Sequence, residues 1–148
     1  MKKSTLVVGI ISTILILIGV IFRIQHWPGG AHLMVAGTAV FVFGYAILFF
    51  IDKSKTAQTG MDKLTNIVVL ATMIVIPVGF LFKGNHWPGA GIGILVSHIF
   101  LALVVIMLFL QAAKEQDNVK KMYINNSAVI LTLMLAISLF IWLRTSAA

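Results

Sequence analysis

Apolar positions along the chain run in five nearly unbroken stretches, roughly Leu6–Phe22, Ala31–Ile51, Leu64–Phe82, Gly91–Leu110 and Ser127–Leu143. Each approaches the ~20 residues a helix needs to cross a ~30 Å hydrocarbon core. None shows the strict alternation of apolar and polar residues that a membrane strand requires, so the pattern predicts helices and excludes a barrel. The expected fold is an all-α integral membrane protein of five transmembrane helices. Lys2-Lys3 ahead of the first stretch imitate a signal peptide, but the apolar core is long and no small-x-small cleavage site follows, so an uncleaved first helix is expected.

The polar punctuation repeats. Ile18-Gly19-Val20-Ile21-Phe22-Arg23-Ile24-Gln25-His26-Trp27-Pro28-Gly29-Gly30 returns as Val78-Gly79-Phe80-Leu81-Phe82-Lys83-Gly84-Asn85-His86-Trp87-Pro88-Gly89-Ala90, at an offset of 60 (86 − 26). A block recurring at one offset marks an internal duplication. That offset covers two helices, so the two copies run parallel, related by an axis along the membrane normal. The expected organisation is a single membrane domain over residues 1–148, with tandem hairpins at 5–51 and 64–111 and a fifth helix at 124–144. The connections Asp52–Lys63 and Gln111–Tyr123 are read as loops of about a dozen residues, too short for a soluble domain.

Composition agrees with the pattern: 60% of residues are hydrophobic and 10% charged, with a mean hydropathy of +1.07. Lys2, Lys3, Lys53, Lys55, Lys63, Lys114, Lys120 and Lys121 fall on one side of the layout, and Arg23, Lys83 and Arg144 on the other. Such a bias puts the lysine-rich side and the N-terminus in the cytoplasm. The C-terminus and both His-Trp-Pro-Gly blocks are then extracytoplasmic. The four acids share the lysine-rich side, which suits a lipid headgroup surface and gives no reason to invoke nucleic acid. Without cysteine, disulfides and thiolate metal sites are excluded.

Most of the repeated block reads as turn and interface chemistry. Arg23, Lys83 and Arg144 each follow an outward-running helix, where a cation meets the negative end of the helix dipole or ligates a phosphate or carboxylate. Trp27 and Trp87 belong at the membrane–water boundary. Pro28 and Pro88 suit the first position of the returning helix, and Gly29 and Gly89 permit a tight hairpin. His26 and His86 are not asked for by these rules. Their readings are a hydrogen bond to a loop carbonyl, a pH-responsive pair, or, with His32, three nitrogens for zinc. His98 lies about two turns into the fourth helix, opposite Thr38 in the first copy. It is an intramembrane polar candidate, either functional or bonded across a helix interface. Gly89, Gly93 and Ser97, and likewise Thr5, Gly9 and Thr13, form small-residue faces for close packing. Pro77 should kink the third helix.

The string apolar-Gly-x-x-Phe-basic-x-x-His, followed by Trp-Pro-Gly and an apolar helix, resembles the membrane region of GldL-type proteins. These are inner-membrane subunits of gliding-motility and type IX secretion machinery in Bacteroidota. The likeness covers both hairpins, about two-thirds of the chain. It implies a two-helix unit that oligomerises around a partner in a proton-driven motor, with Arg23 and His26, and Lys83 and His86, at the motif's basic and histidine positions. The family's membrane glutamate has no equivalent in Gly37–Phe50 or Ser97–Leu110, and its long cytoplasmic extension is missing.

The expected function is therefore a non-enzymatic membrane scaffold or interaction subunit, packing against itself or a membrane-protein partner, without a cofactor. A small transporter or proton conductor using His98, His26 and His86 is the alternative. An enzyme ranks behind both, for want of a nucleophile–base pair.

Overall fold

A computed structural model describes residues 2–57 and 59–146, without the side chains at 141 and 143–146. Arg144, the third outer cation of the sequence reading, falls among those side chains. The described residues form five helices: α1 (Lys3–Ile24), α2 (Gly30–Ser54), α3 (Gly60–Gly84), α4 (Ala90–Lys114) and α5 (Asn118–Ser146). Each is long and apolar enough to cross a membrane. The helices α1 and α2 pack as one hairpin and α3 and α4 as another; α2 touches α3, and α5 lies against α4.

The interior mixes small polar side chains with apolar ones such as Met34, Leu81 and Ile94, and the outer surface carries large apolar groups. Phe43, Ile92, Ile24 and Phe140 are exposed by 65–75%, whereas Thr5, Ser12, Thr38, Thr72 and Ser97 are buried. Against lipid there is little to gain by hiding aliphatic groups, so small residues that let backbones approach take the contacts. A methyl group on Gly19 would lie 2.7 Å from the amide nitrogen of Met34. One on Gly79, sixty residues later, would lie 2.6 Å from Ser97 Oγ and 2.8 Å from the Gly93 carbonyl oxygen. Gly93 and Ser97 thus form a packing face, and Ser97 Oγ donates to Gly93 at 2.7 Å and to Val75 on α3 at 3.2 Å. Gly89 lies outside that face, ahead of the helix. On α1 the buried face is Thr5, Gly9, Ser12 and Gly19; Thr13 is exposed and bonds only its own turn, at Gly9.

Two elements differ from the sequence reading. The helices outrun the apolar stretches because local caps, not hydropathy, stop them. Thr59 and Asp62 form a reciprocal capping box that starts α3, and Asp117 Oδ1 accepts the amides of Val119 and Lys120 at 2.9 and 3.2 Å to start α5. Both satisfy orphan amides of a first helical turn. The helices therefore come closer together than expected: one ends at Ser54 and the next starts at Gly60, and α4 ends at Lys114 with the fifth helix beginning at Asn118. Inside α2, Val40–Ala46 is π-helical, with Phe41, Tyr45 and Phe49 stacked at centroid distances of 5.2 and 5.8 Å. The Tyr45 ring fills the place of a side chain on Gly9, whose added Cβ would meet it at 2.7 Å. Pro77 lies within α3, which continues through it as one helix.

Candidate functional site: the duplicated turns and the His98 contact

The repeated block builds the same turn twice. At the end of α1 the Trp27 amide donates to Phe22 at 2.8 Å and the His26 amide to Arg23 at 3.2 Å. At the end of α3 the Trp87 amide donates to Phe82 at 3.0 Å and the His86 amide to Lys83 at 3.2 Å. This is the left-handed helix C-cap, in which orphan carbonyls are satisfied by the two residues past the cap. Its usual hydrophobic contact is aromatic here: Phe22 on Trp27 and Phe82 on Trp87, both edge-on with centroids 5.1 Å apart.

The histidines hold the position that turns the chain. His26 and His86 both have φ of 55°, the only non-glycine residues with positive φ among those described. Turn chemistry thus does constrain these positions, contrary to the sequence reading: it asks for a residue that tolerates the left-handed region, where histidine is enriched several-fold. Both side chains are exposed, and among the described residues neither ring makes a hydrogen bond to the loop. His32 is exposed as well. No group of three or more metal-ligating side chains forms among the described residues, so His26, His86 and His32 do not converge on a metal site.

Pro28 and Pro88 also have a different place from the one expected. The helices start at Gly30 and Ala90, after left-handed caps at Gly29 (φ 89°, ψ −8°) and Gly89 (φ 84°, ψ 1°). Proline followed by a glycine of this conformation is a type II turn, closed at the second block by the Ala90 amide donating to Trp87 at 3.3 Å. Proline therefore sets the turn before the helix rather than the first helical residue. Arg23 spans the two turns: its Nε donates to the Gly84 carbonyl at 3.0 Å. The cation thus meets the negative end of α3 rather than that of its own helix. Lys83 is exposed.

His98 is buried, at 9% exposure, and joins α4 to α5. Its Nδ1 is 2.7 Å from the Ile94 carbonyl oxygen and its Nε2 3.1 Å from Ser138 Oγ. Only a proton on Nδ1 makes the first contact a bond, so in the neutral ring Nε2 accepts from Ser138. The Ser138 hydroxyl also faces the Leu135 carbonyl at 3.0 Å, and the Trp142 ring lies 5.9 Å from the imidazole. Thr38, the counterpart of His98, is buried as well.

The fold and these contacts define an all-helical protein with five candidate membrane spans, in which His98 and Ser97 bond across helix interfaces. Comparison with protein-family models, curated proteins and solved structures finds no match.

Proposed function

We propose that the protein is a non-enzymatic, multi-pass subunit of a bacterial inner membrane, a scaffold made of two parallel tandem hairpins plus a fifth helix. In this reading its N-terminus is cytoplasmic, and its two rigid turns and C-terminus face the periplasm. The observation that carries it is the use of His98, the intramembrane ionisable group, as a helix–helix fastener with both ring nitrogens engaged. A proton carrier needs a group that exchanges with water, and this ring is bonded to protein on both sides. The duplicated turns support the same reading, because their residues are used for chain reversal and for the Arg23–Gly84 tie between hairpins. The motif's resemblance to GldL-type membrane regions fits a scaffold of that kind. The absence of acid from Gly37–Phe50 and Ser97–Leu110 argues against its motor role.

The partner in this reading is a second copy or another membrane protein, met through the apolar outer faces. Crosslinking in native membranes, followed by identification of the captured chains, tests it directly. Liposomes containing the purified chain should conduct protons no faster than empty ones. A flux abolished by His98→Phe would replace the scaffold with a conductor.

A further inference from the structure

At the end of the bundle opposite the duplicated turns, α2, α3, α4 and α5 surround a cavity of about 1140 Å³. Pockets for drug-sized molecules span ~300–1,000 Å³, so there is room here for a longer chain. The wall has two characters. Phe49, Val69 and Leu108 give it an apolar side, and Lys53, Lys114 and Lys120 a cationic one. Lys53 rests 5.8 Å over the Phe49 ring. Among the described residues, no hydrogen bond or ion pair holds any of the three ammonium groups. The wall also holds two carboxylates, each accepting neutral donors, so its formal charge is +1. Asp62 accepts Gln111 Nε2 at 2.6 Å and the Thr59 amide at 3.0 Å, and Glu115 accepts the Asp117 amide at 3.2 Å.

One more wall residue is unmet. Thr65 is 5% exposed, and its hydroxyl is buried without a hydrogen-bond partner. A buried hydroxyl is rarely left so, and a bound acceptor would remove the cost. Sixty residues earlier the same design is closed: Thr5 Oγ1 donates to Asp52 at 2.8 Å, and the Lys2 amide to the same carboxylate at 3.0 Å. In the second hairpin the place of Asp52 is held by Ala112, buried at 4% exposure. The first hairpin supplies its own acceptor there and the second does not.

We propose that this cavity binds an anionic phospholipid. Its phosphate lies among Lys53, Lys114 and Lys120, an ester or phosphate oxygen accepts from Thr65, and an acyl chain runs along Phe49, Val69 and Leu108. Lysine binds phosphate as a point charge, and helix-end lysines fall at headgroup depth. The apolar half of the wall selects an amphiphile over a free anion. This site is separate from the turns and from His98, and it stands whether or not the chain is a scaffold.

The test uses the full chain, delipidated in a mild detergent, with three probes: phosphatidylglycerol in mixed micelles, phosphatidylcholine in mixed micelles, and inorganic phosphate. Thermal unfolding and lipid retention in native mass spectrometry are read for each. Phosphatidylglycerol should raise the unfolding temperature and remain bound at one per chain; the other two probes should do neither. The double variant Lys114→Gln/Lys120→Gln should weaken phosphatidylglycerol about a hundredfold, near tenfold for each charge-assisted contact. Thr65→Val and the cavity-filling Leu108→Trp should also weaken it, and if Leu108→Trp fails to fold the other two variants decide. Lys3→Gln/Lys63→Gln removes the same charge outside the cavity and should leave binding intact. Equal loss in both lysine pairs, equal stabilisation by inorganic phosphate or phosphatidylcholine, or no effect of phosphatidylglycerol would each overturn the proposal.

Discussion

Replacing His26 with glycine should stabilise the protein, and replacing His86 should do so again. A side chain held at φ of 55° suffers a contact between Cβ and the carbonyl oxygen worth about 1–2 kcal/mol, which glycine lacks. Glycine returns part of this as extra freedom in the unfolded chain, about 0.5–1 kcal/mol. The net gain is on the order of 0.5–1 kcal/mol per turn. Little opposes it, because both rings are exposed and make no hydrogen bond among the described residues. The amide bonds to Arg23 and Lys83 and the Phe–Trp contacts involve other atoms and survive the change. For a chain of this size 1 kcal/mol moves the unfolding temperature by about 2–4 °C, so each substitution should add roughly 1–4 °C. Valine at either position, β-branched and poorly suited to positive φ, should lower it, and asparagine should fall between valine and glycine. Glutamine and alanine should match each other, since neither ring forms a bond that glutamine could replace. The assay is thermal unfolding in detergent followed by intrinsic tryptophan fluorescence, for which Trp27 and Trp87 are reporters at the turns themselves. Glycine variants less stable than the parent would refute the reasoning and restore a stabilising role to the imidazoles.

Three further outcomes are expected. Gly79→Ala should destabilise by about 1–3 kcal/mol through overpacking against Ser97 and Gly93, whereas Gly91→Ala, whose added Cβ meets nothing within 4 Å, should not; equal effects in thermal unfolding would contradict the close approach. A double-mutant cycle of His98→Phe and Ser138→Ala should return a coupling near ~0.6 kcal/mol, the average for a hydrogen bond between helices in lipid. A coupling of zero would remove the bond as a link between α4 and α5. Cysteine at Gln25 should react with an impermeant thiol reagent from the periplasmic side and cysteine at Lys55 should not, with the reverse pattern inverting the proposed orientation.

Much of the architecture is legible along the chain. Five helices follow from apolar length alone, because a bilayer imposes one length on every span. The duplicated block was equally plain, and its residues contain the turn that forms. Aromatic pairs at Phe22 and Trp27, and at Phe82 and Trp87, bracket a histidine that tolerates positive φ, followed by Pro-Gly in the order of a type II turn. The signal missed was that histidine belongs with asparagine and aspartate among left-handed residues. Thr59 with Asp62, and Asp117 ahead of α5, were likewise readable caps, and ignoring them made two loops too long. These are local interactions, spelled within a few residues of the sites they shape.

What no local pattern could supply is which distant groups meet. Thr13 and Ser12 are adjacent and both small and polar, yet only Ser12 is buried, because the rotation of α1 against α2 is set by Gly9 receiving Tyr45 and Gly19 approaching Met34. Nothing near His98 in the sequence foretells Ser138, forty residues on, whose hydroxyl lies 3.1 Å from its Nε2. Arg23 was placed correctly beside a helix end, but the carbonyl it holds belongs to Gly84 in the other hairpin. The cavity at Thr65 has the same origin: it follows from Ala112 standing where the first hairpin has Asp52, and from four helix ends closing around the gap. Hydropathy is summed along one dimension and can assign spans. Packing geometry and hydrogen-bond partnership depend on the mutual rotation of helices, which only the assembled bundle decides.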